Sequence, residues 1–154
     1  MVYYAQAPYI YSFSMLSLVA LGTAILLGSM LFFAIIVTPN AFKFLDKDIA
    51  GEFLRALFPR FYLWGLIISA IVTLLALASG SATSILLIIV LTSFIYCRQT
   101  LTPKINRARE QWLSSDTFEH KTRFRQLHKR SVVINIVQMV ILLLVSTSII
   151  WRIL

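Results

Sequence analysis

Four apolar stretches set the rhythm of this chain, over about 10–37, 61–79, 84–97 and 131–151, and two polar-rich segments, 40–60 and 98–130, alternate with them. Lipid offers no hydrogen-bond partner to a backbone, so long apolar runs of this kind predict membrane-spanning helices. The first run, about 28 residues or roughly 42 Å, exceeds a hydrocarbon core of about 30 Å and predicts tilt or protrusion. It has no basic residue before it and outruns the apolar core of a secretory signal, which predicts a retained helix. Its start carries Tyr3, Tyr4, Tyr9 and Tyr11, and Tyr62 and Trp64 open the second run; such rings favour the water interface. Between the second and third runs lies only Gly80-Ser81-Ala82-Thr83, room for nothing but a tight antiparallel hairpin. The pattern predicts an all-α, polytopic four-helix bundle forming one membrane domain over residues 1–154.

The polar-rich segments carry their own periodicity. In 40–60, Phe42, Leu45, Ile49, Phe53 and Leu57 recur at three- and four-residue steps, with Lys43, Lys47, Glu52 and Arg55 elsewhere around the helix. This predicts an amphipathic helix lying along the membrane surface, with Pro39 ending the first span and Pro59 opening the second. In 98–130, Leu101, Ile105, Ala108 and Trp112 keep helical spacing, and Asp116-Thr117-Phe118-Glu119 reads as a capping box that restarts a helix. Spans three and four are therefore expected to run on as a helical hairpin, kinked at Pro103, with Phe124 and Leu127 packing against Leu101, Ile105 and Ala108.

Composition agrees and charge adds an orientation. Hydrophobic residues make up 59% and charged ones 13%, where soluble domains average about 45–50% and about 25%. The net charge is +8, and of the 14 Lys and Arg residues only Arg152 falls outside the two polar-rich segments. Basic residues stay on the cytoplasmic side, so both long loops are expected in the cytoplasm and both termini outside. A basic hairpin so placed faces anionic lipid headgroups. With no nucleic-acid reading motif and the charge directly beside membrane spans, nucleic acid is not the expected partner. The single Cys97 forms no internal disulfide.

Candidate chemistry is sparse. His128, Ser131, Asn135 and Gln138 share one face of the fourth helix. Amides are costly against lipid, so the stripe must look into the bundle. It forms either a ligand pocket, with Arg98 at its rim, or interhelical hydrogen bonds that pin the spans together. Ala20, Ala24 and Gly28 on span one, and Gly65, Ser69 and Thr73 on span two, form small-residue faces that allow close helix approach, within the chain or to a partner. No span holds an acidic residue, and no Ser/His/Asp, HExxH, CxxC or phosphate-loop pattern occurs, so no enzyme activity is expected. His120 and His128 sit on one helix and cannot form an opposed axial pair for haem; neither a cofactor nor a metal is expected.

Several short motifs carry a resemblance. Gly28-Ser29-Met30-Leu31-Phe32-Phe33 leads to Val37-Thr38-Pro39 and Phe42; Ala50-Gly51-Glu52-Phe53 precedes Leu57-Phe58-Pro59 and Tyr62. Leu101-Thr102-Pro103-Lys104-Ile105-Asn106 and Phe124-Arg125-Gln126-Leu127-His128, with Ser131 and Asn135, follow. From about Leu16 to Val145 the chain resembles the transmembrane protein 205-like family, a four-span domain of unknown function, and more distantly the copper-resistance D-like and protoporphyrinogen oxidase-like membrane bundles. The first resemblance implies a four-helix membrane protein, with bacterial members in the inner membrane, and makes Pro39, Gly51, Pro59, Pro103 and Asn106 motif positions. The inward-facing metal or haem ligands of the more distant bundles have no matching histidines in spans one to three. The expected role is a non-catalytic accessory or assembly subunit docking on itself or a larger membrane complex, with ligand binding or transport through the polar stripe as the alternative and a haem-binding or oxidoreductase subunit as the remaining one.

Overall fold

A computed structural model describes residues 3–115 and 117–153 of the chain; the side chains of Tyr3, Tyr4, Tyr9 and Tyr11, and Asp116 of the capping box, lie outside the described residues. The chain is an all-α bundle of four long helical rods. Rod one joins α1 (Tyr3–Phe32) through a π-turn (Phe33–Val37) to α2 (Thr38–Phe44), and rod two is α3 (Lys47–Ala78). Rod three joins α4 (Ser84–Tyr96) through a second π-turn (Cys97–Leu101) to α5 (Thr102–Ser115), and rod four is α6 (Phe118–Ile153). Each rod contains a segment long and apolar enough to cross a bilayer, which makes this an integral membrane protein. Side chains such as Leu21, Phe32, Leu74, Ile85 and Leu144 cover the outside of the bundle, as expected where lipid is the solvent.

A separate surface helix over 40–60 is absent, contrary to the amphipathic pattern. The chain instead turns sharply at Leu45–Asp46, and rods one and two both run past the apolar zone, each of the prolines lying inside a rod. The reason is local. Ahead of Pro39 the helix widens, so that the Thr38 amide donates to the Phe33 carbonyl, and the Thr38 hydroxyl adds a bond of 3.0 Å to the same oxygen. The wider turn absorbs the missing donor and ring bulk of proline. The same device precedes Pro103, where the Thr102 amide donates to the Cys97 carbonyl and the rod continues. At Pro59 the helix runs on although the Arg55 carbonyl loses its backbone donor; the Arg60 guanidinium donates to the neighbouring Ala56 carbonyl at 2.6 Å. The predicted apolar stripe of Phe42, Leu45, Ile49 and Phe53 faces outward, while Ala41, Ala50 and Leu54 with Phe33 form the buried seam between rods one and two.

The bundle thus has a hairpin end, at Ser79–Thr83, and a basic end where two helical hairpins stand side by side. At the hairpin end Gly80 adopts φ +65°, a left-handed conformation open to glycine at little steric penalty. At the basic end Ile105 and Leu127 pack against the main core, in which Leu101 is buried. Trp112 stacks on Phe124 with ring centroids 5.6 Å apart. The two hairpins are braced together, because the missing Cβ of Gly51 makes room for the guanidinium of Arg109. Arg55 adds ion pairs to Glu52 and Glu110 at 3.9 and 3.8 Å.

Candidate functional site

The polar side chains of rod four are shared out among the other three rods. Tyr62 of α3 is 1% exposed. Its hydroxyl lies 3.1 Å from the Ser131 hydroxyl, and Asn135 Nδ2 donates to it at 3.2 Å. One turn further along, Gln138 Nε2 donates to the Ser93 hydroxyl of α4 at 2.7 Å. Deeper again, the Ser146 hydroxyl donates to Thr23 of α1 at 3.1 Å, and Thr23 bonds back to the Val19 carbonyl. Each contact satisfies a group that lipid could not, and together they fasten rod four to rods two, three and one in succession.

His128 and Arg98 are not part of this seam. The His128 ring is exposed and stacks on Phe124 of the same helix, centroids 6.0 Å apart. Arg98 lies in the second π-turn, with its Nε buried and unpartnered. Within the seam one acceptor, Gln138 Oε1, is buried without a partner. Gln138→Leu is therefore expected to alter stability by less than about 1 kcal/mol, since it removes an orphaned acceptor together with the Ser93 bond, and Ser93 keeps its 2.7 Å bond to the Val90 carbonyl. Unfolding by SDS in mixed micelles measures this; a loss of several kcal/mol would mean that the amide does more than fasten rods.

The two small-residue faces have different surroundings. Gly65 and Ser69 are buried, and a Cβ on Gly65 would overlap the Phe94 ring. On rod one the contact with rod two is made by Gly22, whose missing Cβ admits Val72, while Ala20 is half-buried, Ala24 is exposed, and a Cβ on Gly28 would meet nothing within 4 Å. Tyr62, read from sequence as an interface ring, is instead the hub of the seam. Its spacing from Gly65, Ser69 and Thr73, all on one helical face, is the signal that marks it as internal. Of the other motif positions, Pro39 and Pro103 follow the π-turns, Pro59 lies within α3, and Asn106 is half-buried on α5.

Between α5 and α6 at the basic end lies a cleft of about 530 Å³ lined by Lys104, Arg107, Ala108 and Gln111 on one arm and by Arg123, Gln126, Leu127 and Arg130 on the other. No three metal-ligating side chains gather among the described residues.

The twin Thr-Pro π-turns and the Ala50-Gly51 brace fall within a family match: residues 21–113 fit the family described as Domain of unknown function (DUF4149). The chain belongs to the DUF4149 family. The matched region covers rods two and three and most of rod one, so the Gly51, Pro39, Pro59 and Pro103 positions of this DUF4149 protein all fall inside it, and the polar face of α6 lies beyond it. Comparison with curated proteins and with solved structures finds no match.

Proposed function

We propose that this DUF4149 protein is a non-catalytic accessory or assembly subunit of a bacterial inner membrane, docking through the outer face of rod one, with its basic end against anionic headgroups on the cytoplasmic side. The observation that carries the reading is Gly28. Glycine inside a helix is unfavourable by roughly 0.5–1 kcal/mol relative to alanine, and among the described residues nothing comes within 4 Å of where its Cβ would stand. With Ala24 exposed and Ala20 half-buried one and two turns away, it forms a small-residue strip of the kind that lets a second helix approach closely. A self-complementary strip suits a second copy of the chain about a two-fold axis. The transmembrane protein 205-like motifs and the concentration of Lys and Arg at one end support the placement. The polar face of α6 supports ligand transport less well, because Ser131, Asn135, Ser146 and the amide nitrogen of Gln138 are engaged between rods.

Native mass spectrometry of protein extracted gently from its own membrane tests the proposal. Dimers, or companion subunits at fixed stoichiometry, are expected. Gly28→Leu should weaken the association at least about tenfold while leaving the fold intact. A strictly monomeric, partner-free chain would overturn it.

A further inference from the structure

Both arms of the basic hairpin present the same face to the cleft. Lys104, Arg107, Ala108 and Gln111 fall at i, i+3, i+4 and i+7 of α5, and Arg123, Gln126, Leu127 and Arg130 repeat those offsets on α6. The apolar contacts at this end are made by Ile105, Leu127 and the Trp112–Phe124 stack, so the cleft face is left largely to other residues. Here each arm supplies one aliphatic residue and the rest is four cations and two amides.

None of the four cations is ion-paired to a described acid; the ion pairs among the described residues use Arg55 alone. Glu119 lines a neighbouring groove that shares Arg123 and Gln126. Four exposed like charges lining one space make it locally attractive to an anion. Arginine forks suit phosphate oxygens, since they donate two parallel hydrogen bonds in a fixed plane, and Gln111 and Gln126 add neutral donors.

The cleft's height also fits. Arg130 directly precedes the apolar stretch that begins at Ser131, Lys104 stands one turn past Leu101, and Arg123 and Gln111 lie roughly 10 Å further out. The cationic space therefore starts at the rim of the apolar zone, and its volume is within the range of small-ligand sites.

The geometry points to a binding site for an anion bearing two phosphate groups, held between α5 and α6 by Lys104, Arg107, Arg123 and Arg130. A two-phosphate lipid headgroup and a soluble diphosphate present the same chemistry. The lipid source rests on the proposed placement of the basic end at a membrane surface, whereas binding of the soluble anion needs no membrane.

In the test, the full chain in neutral detergent is titrated with diphosphatidylglycerol, phosphatidylglycerol and inorganic pyrophosphate, followed by native mass spectrometry. Saturable binding of one two-phosphate ligand per chain is expected, well ahead of the single-phosphate lipid. The double variant Arg107→Gln/Arg123→Gln, altering two exposed side chains, should weaken it about 30-fold. Arg125→Gln/Lys129→Gln removes the same charge from exposed positions outside the cleft and should weaken it less than about threefold. Pyrophosphate that binds and displaces the lipid supports the site with a soluble source; lipid binding indifferent to pyrophosphate supports it with a headgroup source. Unsaturable binding, or equal losses in the two double variants, would overturn the site and leave only diffuse attraction.

Discussion

Tyr62→Ala is expected to lower resistance to SDS unfolding by about 3–5 kcal/mol, whereas Tyr62→Phe should lower it by about 0.6–1.7 kcal/mol. The difference separates ring from hydroxyl. The ring is packed among Phe58 and Phe61 of its own helix and Phe94 of α4, with centroid distances of 6.1, 5.7 and 6.2 Å, and removing it leaves a cavity in the core. The hydroxyl serves Ser131 and Asn135, which retain one another's neighbourhood when it is lost. If alanine destabilised no more than phenylalanine, the ring would not be part of the framework, and the seam would rest on its hydrogen bonds alone.

Gly65→Leu should be nearly as damaging, at about 3 kcal/mol, because its first side-chain carbon already overlaps the Phe94 ring. Phe94 is fully buried and cannot swing into lipid without emptying the core between α3 and α4. Phe94→Ala alone should also destabilise by about 3–5 kcal/mol through the space it leaves. Combined, the two changes exchange bulk across one contact, and the pair should be less destabilised than the sum of the singles by about 2 kcal/mol. Strict additivity in the double-mutant cycle would show that the two residues do not meet in the membrane-embedded protein.

How far the sequence reveals this arrangement depends on the kind of information each residue carries. Apolar run length is a direct consequence of bilayer thickness, so the four rods and the hairpin at Gly80 are legible. The excess length of the fourth helix is legible too: its 36 residues span about 54 Å. Pro39 and Pro59 mislead: before Pro39 a widened turn removes the α-turn on which the usual penalty for proline rests, and α3 simply continues through Pro59. Small residues are ambiguous for a different reason. Gly22, Gly28 and Gly65 look alike in sequence, and only the neighbours, Val72 for the first, none for the second and Phe94 for the third, tell inside from outside. Asn135 and Gln138 announce that their face turns inward but not what they meet; Tyr62 and Ser93 on two other rods are their partners. The basic cleft is half legible, since the charge imbalance is plain while the matched offsets on facing arms acquire meaning only once α5 and α6 are seen side by side.

The π-turn before Thr38 also sets the phase of everything beyond it. Along rod one the buried positions Val19, Thr23, Leu26, Met30 and Phe33 follow one face, and two further turns of an unbroken α-helix would bring Asn40 onto that line. The widened turn holds back the rotation, so that Ala41 arrives there instead, 6% exposed among Ala50 and Leu54, and Asn40 is left outside with its amide on the Ile36 carbonyl at 2.7 Å. The bulge acts as a one-residue slip in register. Wound as plain α-helix at its present length, the segment would present an asparagine to an alanine-sized slot, whereas a chain one residue shorter between Phe33 and Val37 would need no bulge to bring Ala41 there; the extra residue and the widened turn therefore belong together, and losing one without the other is what would open the first hairpin.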